Sequence, residues 1–151
     1  LILTAARSGE VREARWAEID TEAKLWIIPA ERMKAGREHR VPLTERSLAI
    51  LEATRPLSTG SALIFPGRSV DKPLSNMVFA KTLERMKVPY TAHGFRSSFR
   101  DWAAETTSHP REIAEMALAH TIENKVEAAY RRGDLLEKRR QLMEDWALFV
   151  E

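Results

Sequence analysis

The chain contains no cysteine, so disulfides and thiolate metal sites are excluded at once. No apolar run reaches the ~18 residues that a membrane-spanning helix needs, and no secretory signal opens the sequence. Low-complexity tracts and internal repeats are also absent. Neither sign of charge dominates: 24 Lys and Arg face 22 Asp and Glu, for a formal net charge of +2. Charge alone therefore does not single out nucleic acid as a partner. The lack of cysteine fits a reducing compartment, and a cytoplasmic location with no membrane contact is expected. What remains is a chain of 151 residues, 44% hydrophobic and 30% charged. That length fits one domain with its own core, and the apolar content excludes a disordered chain.

The distribution of charge is more informative than its sum. Arginine recurs in local clusters: Arg7, Arg12 and Arg15; Arg37 and Arg40; Arg96 and Arg100; Arg131 and Arg132; Arg139 and Arg140. The planar guanidinium suits bidentate contact with phosphate better than the point charge of lysine does.

The element pattern is mostly helical. Residues 1–6 open without an N-cap and read as the last turns of a helix already under way, so the chain reads as a fragment. Ser8-Gly9-Glu10 breaks that run and offers a cap to a short helix over 9–15. Leu25-Trp26-Ile27-Ile28 before Pro29 is β-prone, as are residues 40–43, and the basic stretch 33–39 with Gly36 joins them as a hairpin. Thr44 caps a helix over 45–53, with Leu48 and Leu51 facing inward and Ile50 beside them. Residues 75–87 form a helix with Met77, Val78, Leu83 and Met86 at mixed three and four spacings. Phe95, Phe99, Trp102 and Ala103 make an apolar stripe on a helix running to about Glu105. Pro110 opens a short helix carrying Ile113, Met116 and Ala117. Residues 122–132 are helical in pattern, and Leu135, Leu142, Met143, Trp146, Phe149 and Val150 mark one face of a long final helix. The fold class is thus α+β, mostly α, with a small antiparallel sheet near one end.

Three polar groups stand out against this frame. Arg7 sits at a helix-to-turn break in apolar surroundings. His93 and Arg96 are three residues apart, on one face if helical. His120 precedes Tyr130 by ten residues. Taken singly, each has a bland reading: a surface arginine, a helix cap, a core histidine, a core tyrosine. A set of two arginines, two histidines, a lysine and a tyrosine is the mixture that phosphoryl chemistry needs.

The ordered set resembles the tyrosine recombinases, particularly the phage- and island-type integrases. The resemblance begins at Ala5-Ala6-Arg7-Ser8-Gly9-Glu10-Val11-Arg12, followed by Trp16 and Ile19-Asp20. The family's hairpin lysine falls on Lys34, within Arg32-Met33-Lys34-Ala35-Gly36-Arg37-Glu38-His39-Arg40-Val41-Pro42-Leu43. Its His-x-x-Arg box falls on His93 and Arg96, its next histidine on His120, and its nucleophile on Tyr130 in Ala129-Tyr130-Arg131-Arg132. Arg-x-Gly-Glu and His-x-x-Arg are each weak alone; the ordered series across nearly the whole chain is specific. Ala6 stands where many members carry another small or apolar residue.

The resemblance implies that residues 1–151 are the C-terminal catalytic domain of such an enzyme, without the DNA-binding domains that members carry upstream. It implies double-stranded DNA as substrate and other recombinase protomers as partners, in a tetramer on paired sites, with no cofactor and no metal. Tyr130 would attack the scissile phosphate to give a covalent 3'-phosphotyrosine. Arg7 and Arg96 would clamp the non-bridging oxygens, and His120 would donate a hydrogen bond to them. Lys34 would protonate the leaving 5'-oxygen, and His93 would serve as base or as a further donor. Glu10 would orient its neighbours. Three alternatives remain beside this reading. One is a metal-dependent nuclease using His109 and His120 with Glu112 and Glu115, although their spacing fits no ligand pattern. A second is a DNA-binding module that only retains the fold. A third is a type IB topoisomerase, which shares the tyrosine chemistry but acts without paired sites.

Overall fold

A computed structural model describes residues 1–120 and 133–150; Tyr130, and the helix expected over 122–132, lie outside the described residues. Among the described residues there are six α-helices: α1 (Ser8–Arg12), α2 (Glu45–Thr54), α3 (Val78–Arg85), α4 (Gly94–Thr106), α5 (Arg111–Ala117) and α6 (Leu136–Val150). Three strands accompany them: β1 (Ile19–Asp20), β2 (Leu25–Ile28) and β3 (His39–Pro42). They pair antiparallel in the order β1-β2-β3, with Ile19 opposite Trp26 and Trp26 opposite Val41. The α+β, mostly helical architecture with one small antiparallel sheet is the one expected. The two-residue β1 is an addition to the expected hairpin. No described helix is long and apolar enough to cross a membrane.

The interior divides into two packed clusters. The helical cluster joins Phe99, Trp102 and Ala103 of α4 to Ile113, Ala114 and Ala117 of α5 and to Leu142, Met143 and Trp146 of α6. The apolar stripes meet here as their spacing requires. Phe99 meets Trp146 edge to face at 5.3 Å, and Trp102 lies 5.0 Å from Trp146. The Trp146 indole donates to the Ile2 carbonyl at 2.9 Å, so the ring is buried without an orphaned N–H. The final helix therefore packs on its own chain, although Phe149 at its end remains 61% exposed. The second cluster sits under the sheet and gathers Ala6, Val11, Ala14, Trp26, Ile28, Met33, Val41, Leu43 and Ile64.

Several expectations shift in detail. Residues 1–6 form a turn, not a helix: Ala5 N donates to Ile2 O at 3.0 Å, and Ala5 then adopts φ 46°, which ends any helical path. Helix α1 is shorter than expected and starts at Ser8, with Arg7 at its N-cap. Thr44 does cap α2, its Oγ1 accepting from Ser47 N at 3.3 Å; Leu48 and Leu51 are half-buried while Ile50 is exposed. Helix α3 covers only the middle of its expected span. Ser75 Oγ holds Met77 N in a turn at 3.2 Å, and Lys87 at φ 55° ends the region, leaving Met77 and Met86 exposed. Pro110 stands just before α5, at its N-cap.

Two polar ties join the sheet to the helices. Arg139 of α6 is 2% exposed. Its Nε donates to Asp134 O (2.7 Å), its Nη1 to Arg40 O (2.5 Å) and its Nη2 to Asp134 Oδ2 (2.5 Å). Arg40 of β3 closes the knot with two bonds to the Asp134 carboxylate, at 2.9 and 2.6 Å. Burial opposes ionisation of Asp134, but the Arg40 and Arg139 contacts outweigh it and hold this carboxyl below its ordinary range. The second tie is His39 of β3, whose Nε2 lies 3.2 Å from the Ala117 carbonyl at the end of α5.

Two outcomes test this packing. Phe99→Ala should lower unfolding free energy by about 3–5 kcal/mol, the cost of emptying a fully buried aromatic site. Leu148→Ala, at a residue 74% exposed, should change it by less than ~0.5 kcal/mol; equal losses in denaturant titration would contradict the core assignment. The second concerns His39, whose pKa is lowered from 6.5 to about 4, by burial first and then by the Arg139 charge, against the opposing Glu10 charge and the bond to Ala117. Between these values the unfolded chain binds a proton that the folded protein refuses, so stability falls as pH falls through that window. The loss should reach roughly 3 kcal/mol by pH 4. His39→Gln retains a donor for Ala117 O and should flatten this part of the pH–stability curve; an unchanged slope would reassign the acid sensitivity.

A candidate phosphate site at the seam of the two cores

The two cores meet at two short stretches of chain. Ala5 belongs to the helical cluster and Ala6 to the sheet cluster. Likewise Leu118 belongs to the helical cluster, while Ala119 packs against the sheet cluster. Both crossings bend sharply: Ala5 has φ 46° and Ala119 φ 51°, conformations that favour glycine. A carbonyl of each stretch is thereby turned towards a guanidinium.

Arg96, one turn into α4, is 6% exposed. Its Nη1 donates to Ala5 O, and its Nη2 donates to Leu118 O at 2.7 Å. The same Nη2 lies 3.4 Å from His120 Nε2. Arg7 approaches from the other side. Its Nη1 meets Glu10 Oε1 at 2.8 Å, while its backbone N–H donates to Glu10 Oε2, also at 2.8 Å. Glu10 therefore caps α1 and orients Arg7 with one carboxylate, as expected of it. Arg7 Nη2 reaches the Ala119 carbonyl at 3.4 Å. The end of α5 thus offers three successive carbonyls, those of Ala117, Leu118 and Ala119, to His39, Arg96 and Arg7. They are the carbonyls a helix C-terminus leaves unpaired.

The electrostatics follow from this crowding. The pKa of Arg96 is lowered to about 10, by burial first and next by the neighbouring Arg7 charge, with Glu10 opposing. A buried guanidinium whose charge is disfavoured by a second guanidinium nearby makes a place where an anion is stabilised. His120 is held at its Nδ1 by Glu115 Oε2 at 2.5 Å, leaving Nε2 on the Arg96 side.

The sequence candidates are therefore placed unequally. Arg7, Arg96 and His120 come together from three separate parts of the chain. His93 is exposed at the start of α4; its carbonyl accepts from Arg96 N at 3.0 Å, and its ring makes no hydrogen bond with Arg7, Arg96 or His120. Lys34 is exposed on the hairpin loop, beside the buried Met33, and makes no hydrogen bond to the three. Tyr130 lies outside the described residues. Sequence reasoning missed His39, which by pattern ends the hairpin's polar turn but in the structure is the first residue of β3. It weighed Glu115 only as a metal ligand. His109 instead faces Asp145 at 2.6 Å while His120 faces Glu115, so the two histidines of the nuclease alternative engage different carboxylates.

The sequence model described as the phage integrase family matches residues 1–135. The chain is similar to the prophage integrase IntA of Escherichia coli strain K12, 42% identical over 153 residues, which cover 99% of this chain and 37% of the relative. It is similar to the prophage integrase IntZ of the same strain, 39% identical over 149 residues, covering 97% of this chain and 37% of the relative. The integrase of Enterobacteria phage P4 is 33% identical over 168 residues, covering 99% of this chain and 38% of that protein. The chain thus spans less than two fifths of the length of these relatives. No solved structure matches it. With a family match over most of its length and relatives above 30% identity along nearly all of it, the chain belongs to the phage integrase family.

Proposed function

We propose that residues 1–151 are the catalytic part of a tyrosine site-specific recombinase that cuts and rejoins double-stranded DNA, working with further protomers as a tetramer on paired sites. The observation that carries this reading is the convergence of Arg7, Arg96 and His120 on one seam, where the buried Arg96 cation is disfavoured by burial and by the nearby Arg7 charge. A phosphodiester in that place would relieve the repulsion and bring its own charge, and no described side chain there needs a metal ion to bind it. The relatives' printed names, integrase and prophage integrase, fit the same reading.

In the proposed reaction, the Tyr130 oxygen attacks phosphorus in line with the 5'-oxygen. A Tyr–O–P bond forms and the P–O5' bond breaks, leaving a 3'-phosphotyrosine and a free 5'-hydroxyl. A phenol's ordinary pKa is about 10, so the attack needs a base for its proton; His93 is the candidate. Lys34 gives a proton to the leaving 5'-oxygen. Arg7 and Arg96 stabilise charge that develops on the non-bridging oxygens, and His120 adds a donor. Attack by the 5'-hydroxyl of a partner strand reverses the step, and the energy of the broken bond is kept in the phosphotyrosine, so no nucleotide cofactor is consumed.

A nicked DNA substrate that lets the leaving strand escape tests the chemistry. Tyr130→Phe should give no covalent protein–DNA product while keeping fold and DNA affinity. Arg7→Ala should slow covalent capture by roughly 10²-fold or more. Arg7 is the cleaner clamp to remove, because Arg96 also binds two buried carbonyls. Covalent product from Tyr130→Phe would end the nucleophile assignment, and full-rate capture by Arg7→Ala would end the clamp. Lys34 is tested with a 5'-bridging sulfur, a leaving group that needs no proton. Lys34→Ala should be slow on ordinary DNA and largely rescued on the sulfur substrate; equal defects on both would leave Lys34 as a DNA contact only.

A further inference from the structure

The side chain behind His120 has no part in the scheme so far. Glu115, in the last turn of α5, grips His120 twice: its carbonyl accepts from His120 N at 2.9 Å and its Oε2 meets His120 Nδ1 at 2.5 Å. The left-handed Ala119 between them folds the chain back far enough for both contacts. The other carboxylate oxygen, Oε1, accepts from Arg100 Nε at 2.7 Å, and Arg111 Nε stands 3.7 Å from it. We propose that Glu115 is a positioning residue for DNA strand cleavage, fixing the His120 ring so that Nδ1 carries its proton and Nε2 alone faces the phosphate site beside Arg96.

The chemistry of the pair leads to this assignment. Burial disfavours the Glu115 carboxylate, but the bonds and charges of His120 and Arg100 outweigh it and keep its pKa below the ordinary value. An ionised carboxylate only accepts hydrogen bonds, so the atom it meets at 2.5 Å must be Nδ1–H. The tautomer of His120 is thereby set from behind. Nε2 then lies 3.4 Å from Arg96 Nη2, on the side where the anion would sit. When the imidazole gains a second proton, Nε2–H becomes a donor aimed at that anion, and the Glu115 charge stabilises the cation. This is the relation in which a carboxylate orients an imidazole without itself exchanging protons. Arg100 and Arg111 share the carboxylate, so two guanidinium groups hold Glu115 in place behind His120.

The inference rests on the phosphate site proposed above, and the test separates the two. In the full-length protein, side-chain ¹⁵N spectra of His120 should show Nδ1 protonated in the parent and in Glu115→Gln, whose amide oxygen still accepts. Glu115→Ala should shift the ring towards the Nε2–H tautomer. On the nicked DNA substrate, Glu115→Ala should slow covalent capture by roughly 10–100-fold, the scale found when the partner behind an orienting imidazole is removed. Glu115→Gln should fall between it and the parent, and DNA affinity should not change. Because Glu115 acts through His120, the double variant Glu115→Ala/His120→Ala should be no slower than His120→Ala alone. Additive losses, an unchanged tautomer in Glu115→Ala, or parental rates in both Glu115 variants would overturn the proposal. If Glu115→Ala fails to fold, Glu115→Leu, which fills the site but cannot accept a hydrogen bond, takes its place in both measurements with the same expected and overturning results. Parental capture by His120→Ala would instead count against the phosphate site itself.

Discussion

Two alanines in left-handed backbone, Ala5 and Ala119, hold the structure's two cores in register, and a single buried guanidinium binds across them. Such a conformation costs an alanine on the order of 1–3 kcal/mol, and it persists where the surroundings over-determine it. Here Arg96 supplies that determination, donating to Ala5 O on one stretch and Leu118 O on the other. Burying a guanidinium is costly unless its donors are satisfied. The two carbonyls offset that cost and leave the edge of the group directed at His120. Arg96 is the group that bonds to both stretches, while Arg7 and His39 reach only the second, through the Ala119 and Ala117 carbonyls.

The same constraint produces the site. Once Ala5 turns, Arg7 must follow at the N-cap of α1, where Glu10 fixes it by its backbone and its guanidinium together. Once Ala119 turns, His120 folds back on Glu115. Three groups far apart in sequence are then brought together with their donors already oriented, which is the condition for stabilising developing charge without reorganisation. The ties from β3 serve this geometry from outside. His39 holds the end of α5 against the hairpin, and the Arg40–Asp134–Arg139 knot ties the residues just before α6 to β3.

Much of this was legible in the sequence where structure is local or periodic. The Phe99, Trp102 and Trp146 stripes, the Leu25–Ile28 strand and the Thr44 cap all rest on spacing or on neighbouring residues, and all appear. What was not legible depends on contacts distant in sequence. Residues 1–6 read as helix because nothing nearby announces that Ala5 will be held at positive φ by an arginine 91 residues away. Arg139 reads as one of a clustered arginine pair suited to phosphate, yet it is buried against Asp134 and the Arg40 carbonyl. Met77 and Met86 fit a helical face by spacing, but the helix stops short of both. In the site, Arg7, Arg96 and His120 stood out as polar groups before the family resemblance placed them in one ordered set. Glu115 did not, because its role depends on a turn that brings residues five apart face to face. A polar cluster in the sequence could have been read as a ligand set; only the geometry separates His109 with Asp145 from His120 with Glu115.

The central claim is that Arg7, Arg96 and His120 form one anion site built to hold a phosphoryl group in its transition state. The most direct test is a structure of the protein with cleaved DNA ends and orthovanadate, which takes the geometry of a five-coordinate phosphorus. The account predicts vanadate at the seam, with equatorial oxygens about 3 Å from the guanidinium nitrogens of Arg7 and Arg96 and from His120 Nε2. Vanadate held elsewhere on the chain, with these three side chains engaged only with the Leu118, Ala119 and Ala5 carbonyls and with one another, would contradict it.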